Sequence, residues 1–241
     1  MAVSLTLKTS GSTAASASAD TTASVTLSGA PILLVLTAKM TSANFALVSI
    51  TWNGGAGQAI DGIGGVASAD GAGTDDAYCN IRYLDAPTAG TGTITINHGL
   101  IASERSWFLY EVSGHDTATS TAWRDAFAGS TTLAGTTHTG AVTSAVGDYP
   151  FFAIALFQSA SAPTLTLNGS STQVDTISTA TLRSVILTGT GAASVTLGGT
   201  TGTATQSAFR YFNINAAGAA TGRGERMDRR RRFIAAMLGG D

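Results

Sequence analysis

Ala89-Gly90-Thr91-Gly92-Thr93-Ile94-Thr95-Ile96 decides how this chain is read. A glycine-broken turn runs into threonine alternating with isoleucine. Successive side chains on a strand point to opposite faces, so the isoleucines turn inward and the hydroxyls outward. Threonine is β-branched and suits the wet face. The alternation recurs at Ser4-Leu5-Thr6-Leu7, Val25-Thr26-Leu27, Leu165-Thr166-Leu167 and Val195-Thr196-Leu197. Two runs are continuously apolar, Pro31 to Leu36 (PILLVL) and Pro150 to Phe157 (PFFAIALF). They are short for helices and read as strands buried on both faces, or at the middle of a packed sheet. Glycine-rich breaks follow at turn spacing, among them Asn53-Gly54-Gly55, Asn97-His98-Gly99 and Asn168-Gly169. Gly and Asn tolerate the left-handed backbone of tight turns. No convincing amphipathic helix precedes residue 222. The expected fold is all-β, an antiparallel, jelly-roll-like β-sandwich.

Composition narrows the classes. Charged residues are 12% of the 241, about half the usual share, while apolar residues at 44% suffice for a core. Low charge with 37 threonines argues against disorder. No apolar run reaches about 18 residues, so no membrane-spanning helix is expected. The N-terminal MAVSLTLKTSGST lacks a basic segment followed by an apolar one, so no secretory signal is expected. A lone cysteine, Cys79, excludes an intramolecular disulfide framework and a multi-cysteine zinc site, and reads as a small buried residue.

The halves of the body echo each other. Leu27 to Val35 and then Val48 to Gly54 (VSITWNG) match Val146 to Ile154 and then Pro163 to Gly169 (PTLTLNG). Ala89 to Ile96 matches Gly189 to Leu197 (GTGAASVTL), and Ser106 to Val112 (SWFLYEV) matches Ser207 to Ile214 (SAFRYFNI). A spacing of about 100 to 115 residues is domain-sized, not that of a solenoid. The favoured division is an N-terminal segment 1–23, a first β-sandwich lobe with its connector at 24–139, a second lobe at 140–220, and a tail at 221–241. The connector proper is 116–139. One larger sandwich, each half contributing to both sheets, is the alternative.

The first half also carries a resemblance. "VSITWNGG", then "IRYLDAPTAGTGTITI", then "SWFLYEVSGHDTATS" resembles a β-sandwich pattern of bacteriophage virion proteins and large bacterial surface proteins. The likeness covers about residues 24–120 well and 140–215 weakly. Its motifs are strand and turn motifs and assign no catalytic or ligand residue. It implies jelly-roll or immunoglobulin-like decorations, spikes or fibre domains of tailed phages, serving attachment or capsid reinforcement.

Motifs for chemistry are sparse. Neither a Gly-x-Ser-x-Gly elbow nor a phosphate loop ending in Gly-Lys-Ser/Thr occurs. Gly62-Ile63-Gly64-Gly65 carries no lysine and reads as a flexible loop. His98, His115 and His138 do not share zinc-ligand spacing and read as surface turn or connector residues. The acidic loop Asp70 to Asp76 has oxygen ligands for calcium but no EF-hand pattern, and reads as solvated. No catalytic residue, metal or cofactor is expected, and the chain does not read as an enzyme. Among the aromatics, Trp123 lies in a polar stretch and is the candidate for an exposed contact with a glycan or a partner.

Charge is unevenly placed. Residues 1–222 balance at -5 and residues 223–241 at +3. The tail TGRGERMDRRRRFIAAMLGGD has helix-forming composition. Met227, Ile234, Met237 and Leu238 fall on one side of a helix, with Arg229 and Arg232 toward its flanks. Such a short helix wants a partner for its apolar stripe. The expected partner-binding residues are Arg226, Met227, Arg229, Arg230, Arg231, Arg232, Phe233, Ile234, Met237 and Leu238. The expected function is a non-enzymatic virion structural protein, a capsid decoration or head spike, or a tail or fibre component. It would assemble in a host cytoplasm, dock on capsid or tail subunits, and form homo-oligomers. Nucleic acid and membrane are not expected partners. The alternative is a carbohydrate-binding or adhesion module of a bacterial surface protein, reading a host-surface glycan.

Overall fold

The computed structural model describes residues 2–14, 18–40, 47–55, 57–62, 66–67, 76–98, 102–119 and 122–218. Its strands in the first half are β1 (Ser4–Thr13), β2 (Ala19–Thr21), β3 (Val25–Leu27), β4 (Ile32–Met40), β5 (Leu47–Trp52), β6 (Gln58–Ala59), β7 (Asp61–Gly62), β8 (Val66–Ala67), β9 (Asp76–Leu84), β10 (Gly90–Gly92), β11 (Ile94–His98) and β12 (Ala102–Ser113). The second half holds β13 (Ala128–Val142), β14 (Tyr149–Phe157), β15 (Leu165–Leu167), β16 (Thr172–Ser178), β17 (Leu182–Thr188) and β18 (Val195–Ile214). The described residues contain no helix, and their strand pairings are antiparallel. The helix expected at 221–241 lies outside the described residues.

The two apolar runs set the layering. They form β4 and β14, and each is buried on both faces, as the sequence predicts. β4 sits inside the sheet β1-β12-β4-β9-β7, and β14 inside the sheet β13-β18-β14-β17-β16. Leu33 and Val35 of β4 face Phe151, Ala153 and Phe157 of β14 in one core shared by both halves. The other face of β4, with Ile32, Leu34 and Leu36, packs on Ile50, Trp52, Ile94 and Ile96 of the smaller sheet β2-β11-β5-β6. The other face of β14, with Phe152, Ile154 and Leu156, packs under Leu165, Val195 and Leu197. Each half therefore folds over its own core, and the two large sheets meet back to back on a third.

The repeat is visible in the pairings. Tyr110 of β12 lies opposite Leu33, and Phe212 of β18 lies opposite Phe151. Thr93 accepts from the amide of Asn53 and Gly198 from that of Asn168, so the two Asn-Gly turns dock alike. Where the first half uses separate strands β11 and β12, the second uses one 20-residue strand, β18, with a bend. The bend is legible in the register: Gly135 opposes Thr205 but Thr137 opposes Thr200. One residue of β13 thus spans four of β18.

Two expected boundaries shift. Residues 1–23 hold β1, paired with β12, and β2, paired with β11. β13 plays the same part in the second half, pairing with both arms of β18. The repeat therefore includes the N-terminal segment. The stretch 116–139 is only partly a connector, because β13 begins at Ala128.

Glycine at Asn53-Gly54 is needed for space and not for handedness. A Cβ there would run into the Trp52 ring, whereas the positive φ falls on Gly55. The long edge strands are irregular. Register shifts interrupt β1 between Leu7 and Thr9, β13 between Thr132 and Thr137, and β16 between Gln173 and Asp175.

A shared core predicts joint unfolding. Phe212→Ala is expected to cost about 3–5 kcal/mol. Urea unfolding followed by tryptophan fluorescence, which reports the first half, should coincide with loss of amide protection in β14 and β17. Two separated transitions in the parent protein would contradict the shared core.

Candidate functional site

Polar groups placed between the two large sheets need partners, since water is excluded there. Thr37 of β4, Ser106 of β12 and Ser184 of β17 are all buried. Their hydroxyls form a closed ring, with Thr37 to Ser106 at 2.7 Å and both others at 2.5 Å. Each hydroxyl can donate once and accept once around the ring. Tyr110 of β12 donates to Asp175 Oδ2 of β16 at 2.6 Å. Burial pushes the phenol pKa up, and the Asp175 hydrogen bond and charge push it further, so the proton stays on the tyrosine.

Glu104 makes the densest crossing. It projects from β12 to the turn between β16 and β17. There it accepts from the Thr181 amide at 3.0 Å, the Leu182 amide at 3.1 Å, the Thr181 hydroxyl at 2.7 Å and the Thr179 hydroxyl. Burial works to raise its pKa, but these donors outweigh burial and hold the carboxyl below its ordinary value.

Residues 114–127 carry the chain between halves, and a recess of about 240 Å³ opens beside them. Asp85, His115, Asp116, Pro31 and Trp123 line it. Asp85 Oδ1 accepts from Trp123 Nε1 at 2.6 Å. Arg124 lays its guanidinium 3.6 Å from the Tyr83 ring centre, with Trp123 and Phe127 also alongside. The aromatic cluster is thus already filled by the chain's own cation. Burial pushes the His115 imidazole down, against a backbone hydrogen bond to Val112 and the charge of Asp116. Among the described residues no hydroxyl bonds to the His115 ring, and its buried Nδ1 has no hydrogen-bond partner. No group of three His, Cys, Asp or Glu converges on a metal position among them either.

The structure corrects two of the sequence expectations. Trp123, expected to be exposed for a glycan, is 1% exposed, because Asp85 satisfies its indole N–H and Tyr83 packs edge-on against it. Its ring has no free face for a sugar. His138, expected in a surface connector, is fully buried between β13 and β18. Its Nδ1 lies 2.9 Å from Ser207 Oγ, and its Nε2 lies 3.2 Å from Thr201 Oγ1. Cys79 is buried as expected, its pKa pushed up to about 12 by burial. His98 closes β11. Of the acidic loop, only Asp76 is described, and it is buried at the start of β9. Ile63, Gly64 and Gly65 lie outside the described residues. So do Arg226, Met227, Arg229 to Arg232, Phe233, Ile234, Met237 and Leu238.

Sequence reading missed Glu104, Asp85, Arg124 and Asp175 as functional positions. Their only sequence signal is their rarity: a charge inside an apolar alternation wants a specific partner. No family model, no curated protein and no solved structure matches this chain.

The Glu104 crossing makes stability acid-sensitive. Its folded pKa is lowered, so its contribution is full above the unfolded value, about 4.3, and is lost as pH falls below it. Glu104→Ala is expected to cost about 2–3 kcal/mol at pH 7, since two amides lose a charged acceptor. Urea titrations at pH 7 and pH 3.5 check this, and the gap between variant and parent should shrink in acid.

Proposed function

We propose that this chain is a non-enzymatic structural subunit of a phage-like particle. Its body is a jelly-roll-like β-sandwich pair, and its Arg-rich C-terminal segment holds it to neighbouring capsid or tail subunits in the virion. The observation that carries this reading is the seam between the two large sheets. Glu104, Tyr110, Asp175 and the Thr37, Ser106 and Ser184 ring are all committed to joining β12 and β4 to β16 and β17. Acidic and hydroxyl groups are used there to fasten one sheet to the other, which suits a structural subunit.

Charge polarity supports the anchoring part. The body is sparsely charged and acidic, and six arginines gather in residues 223–241. Ala217 donates to the Gly114 carbonyl, and Ala216 to Asp148, so the last described residues, 216–218, lie beside the start of the 114–127 connection. Arginine forks pair well with carboxylates, which gives register to a contact whose affinity comes from apolar burial. Many copies raise such a contact through avidity.

Removing residues 223–241 tests the reading. The truncated body should keep its urea midpoint and fail to co-sediment with particles from the native source. Normal co-sedimentation of the truncated protein would overturn the anchoring role, and a full-length chain that sediments only as a free monomer beside its natural companions would overturn the particle reading.

A further inference from the structure

β18 bends to fold its outer arm over the second-half core. Residues 195–200 pair with β13 and β15, while residues 206–214 pair with β13 and β14. The bend between them closes around one carbonyl. Thr201 and Thr205 both donate to the Thr203 oxygen, at 2.8 and 3.0 Å. His138 reaches both sides of this bend at once, touching Thr201 before it and Ser207 after it.

Hydrogen-bond bookkeeping assigns the tautomer. The Thr201 proton is committed to Thr203, so Thr201 Oγ1 accepts from His138, and Nε2 carries the hydrogen. Nδ1 is then the acceptor for the Ser207 hydroxyl. A second proton would fall on Nδ1, and the Ser207 hydroxyl would have to turn from donor to acceptor to keep the contact. It would also place a charge in a site where the described side chains offer no opposite charge. Among the described side chains, β18 offers Thr201, Thr205, Ser207 and Phe209, β15 offers Leu165, and β14 offers Phe152, Ile154 and Leu156. The charged group on that face of β17 is Arg183, opposite Leu156, and it has the same sign as an imidazolium.

The first half clips the corresponding place differently. Arg105 lies five residues before Tyr110, as Ser207 lies five before Phe212. Arg105 donates to Asp20 on β2, with Nη2 to Oδ1 at 2.8 Å and Nε to Oδ2. That clip is an ion pair with no histidine in it.

We propose that His138 is an acid-sensitive clip. As it gains a proton, the outer arm of the second half, residues 137–142, 165–167 and 195–200, lifts from its core while the first half stays closed. Burial already holds the imidazole pKa below its ordinary value of about 6.5. The clip is therefore intact above about pH 6.5 and is lost as pH falls from there through the lowered value.

Hydrogen exchange on the full chain between pH 7.5 and 5 tests the idea. Protection factors in 137–142 and 195–200 should fall by up to about tenfold per pH unit as pH drops below about 6.5. Those in the matching segments 19–21 and 94–97 should hold. His138→Gln keeps a donor and an acceptor without titrating, and should leave the arm protected at pH 5, whereas His115→Gln should behave as the parent. Should the Gln variant fold poorly, imidazole nitrogen shifts of the parent give the same answer, since His138 protonation must coincide with arm opening. Arm protection unchanged down to pH 5, opening at the same pH in His138→Gln, or titration of His138 without opening would each overturn the proposal.

Discussion

β4 and β14 carry large aliphatic and aromatic side chains on both of their faces, and the rest of the architecture answers that constraint. A strand inside a sheet can be covered on its two faces only by further layers. Burying each such side chain is worth about 1.5–3 kcal/mol, so leaving either face open would forfeit much of the stability of a marginally stable fold. Each half covers one face with its own small sheet or folded arm. The remaining faces have nothing left to pack on but each other, and Leu33, Val35, Phe151 and Ala153 meet there.

Much of this was legible in the chain. The alternation of threonine with isoleucine marked the one-sided strands, and the unbroken runs at 31–36 and 150–157 marked the two-sided ones. The internal echo also has a structural basis in the matched pairings of β12 with β4 and of β18 with β14. The N-terminal segment was not legible as a counterpart of β13. Its residues are small and hydroxylated, and as edge strands they owe their place to pairing with β12 and β11. Trp123 misled because its neighbours in sequence are polar, while the groups that bury it, Asp85 and Tyr83, lie about forty residues upstream. His138 misled for the same reason, since its partners Ser207 and Thr201 come from the middle of β18, more than sixty residues downstream. Local pattern shows which face a residue takes, but long-range closure decides what it meets.

A chain with few charges uses them at joints. Glu104 holds a turn of the opposite sheet, Asp85 receives an indole, Arg124 lies across three rings, and Asp20 receives Arg105. In each case a partner or an aromatic face replaces the lost hydration, which is what a buried or half-buried charge requires. The outer surface is left to threonine and serine, which solvate strands without committing them to any partner of particular charge.

The interrupted registers of β1, β13 and β16 have a consequence for crowding. A regular outer strand offers a row of free amides and carbonyls on which a foreign strand can crystallise, and one kinked by an extra residue does not. Every long margin of the two principal sheets that is made by one of these strands is broken in this way. At high local concentration such broken margins therefore disfavour edge-to-edge pairing between copies of the chain.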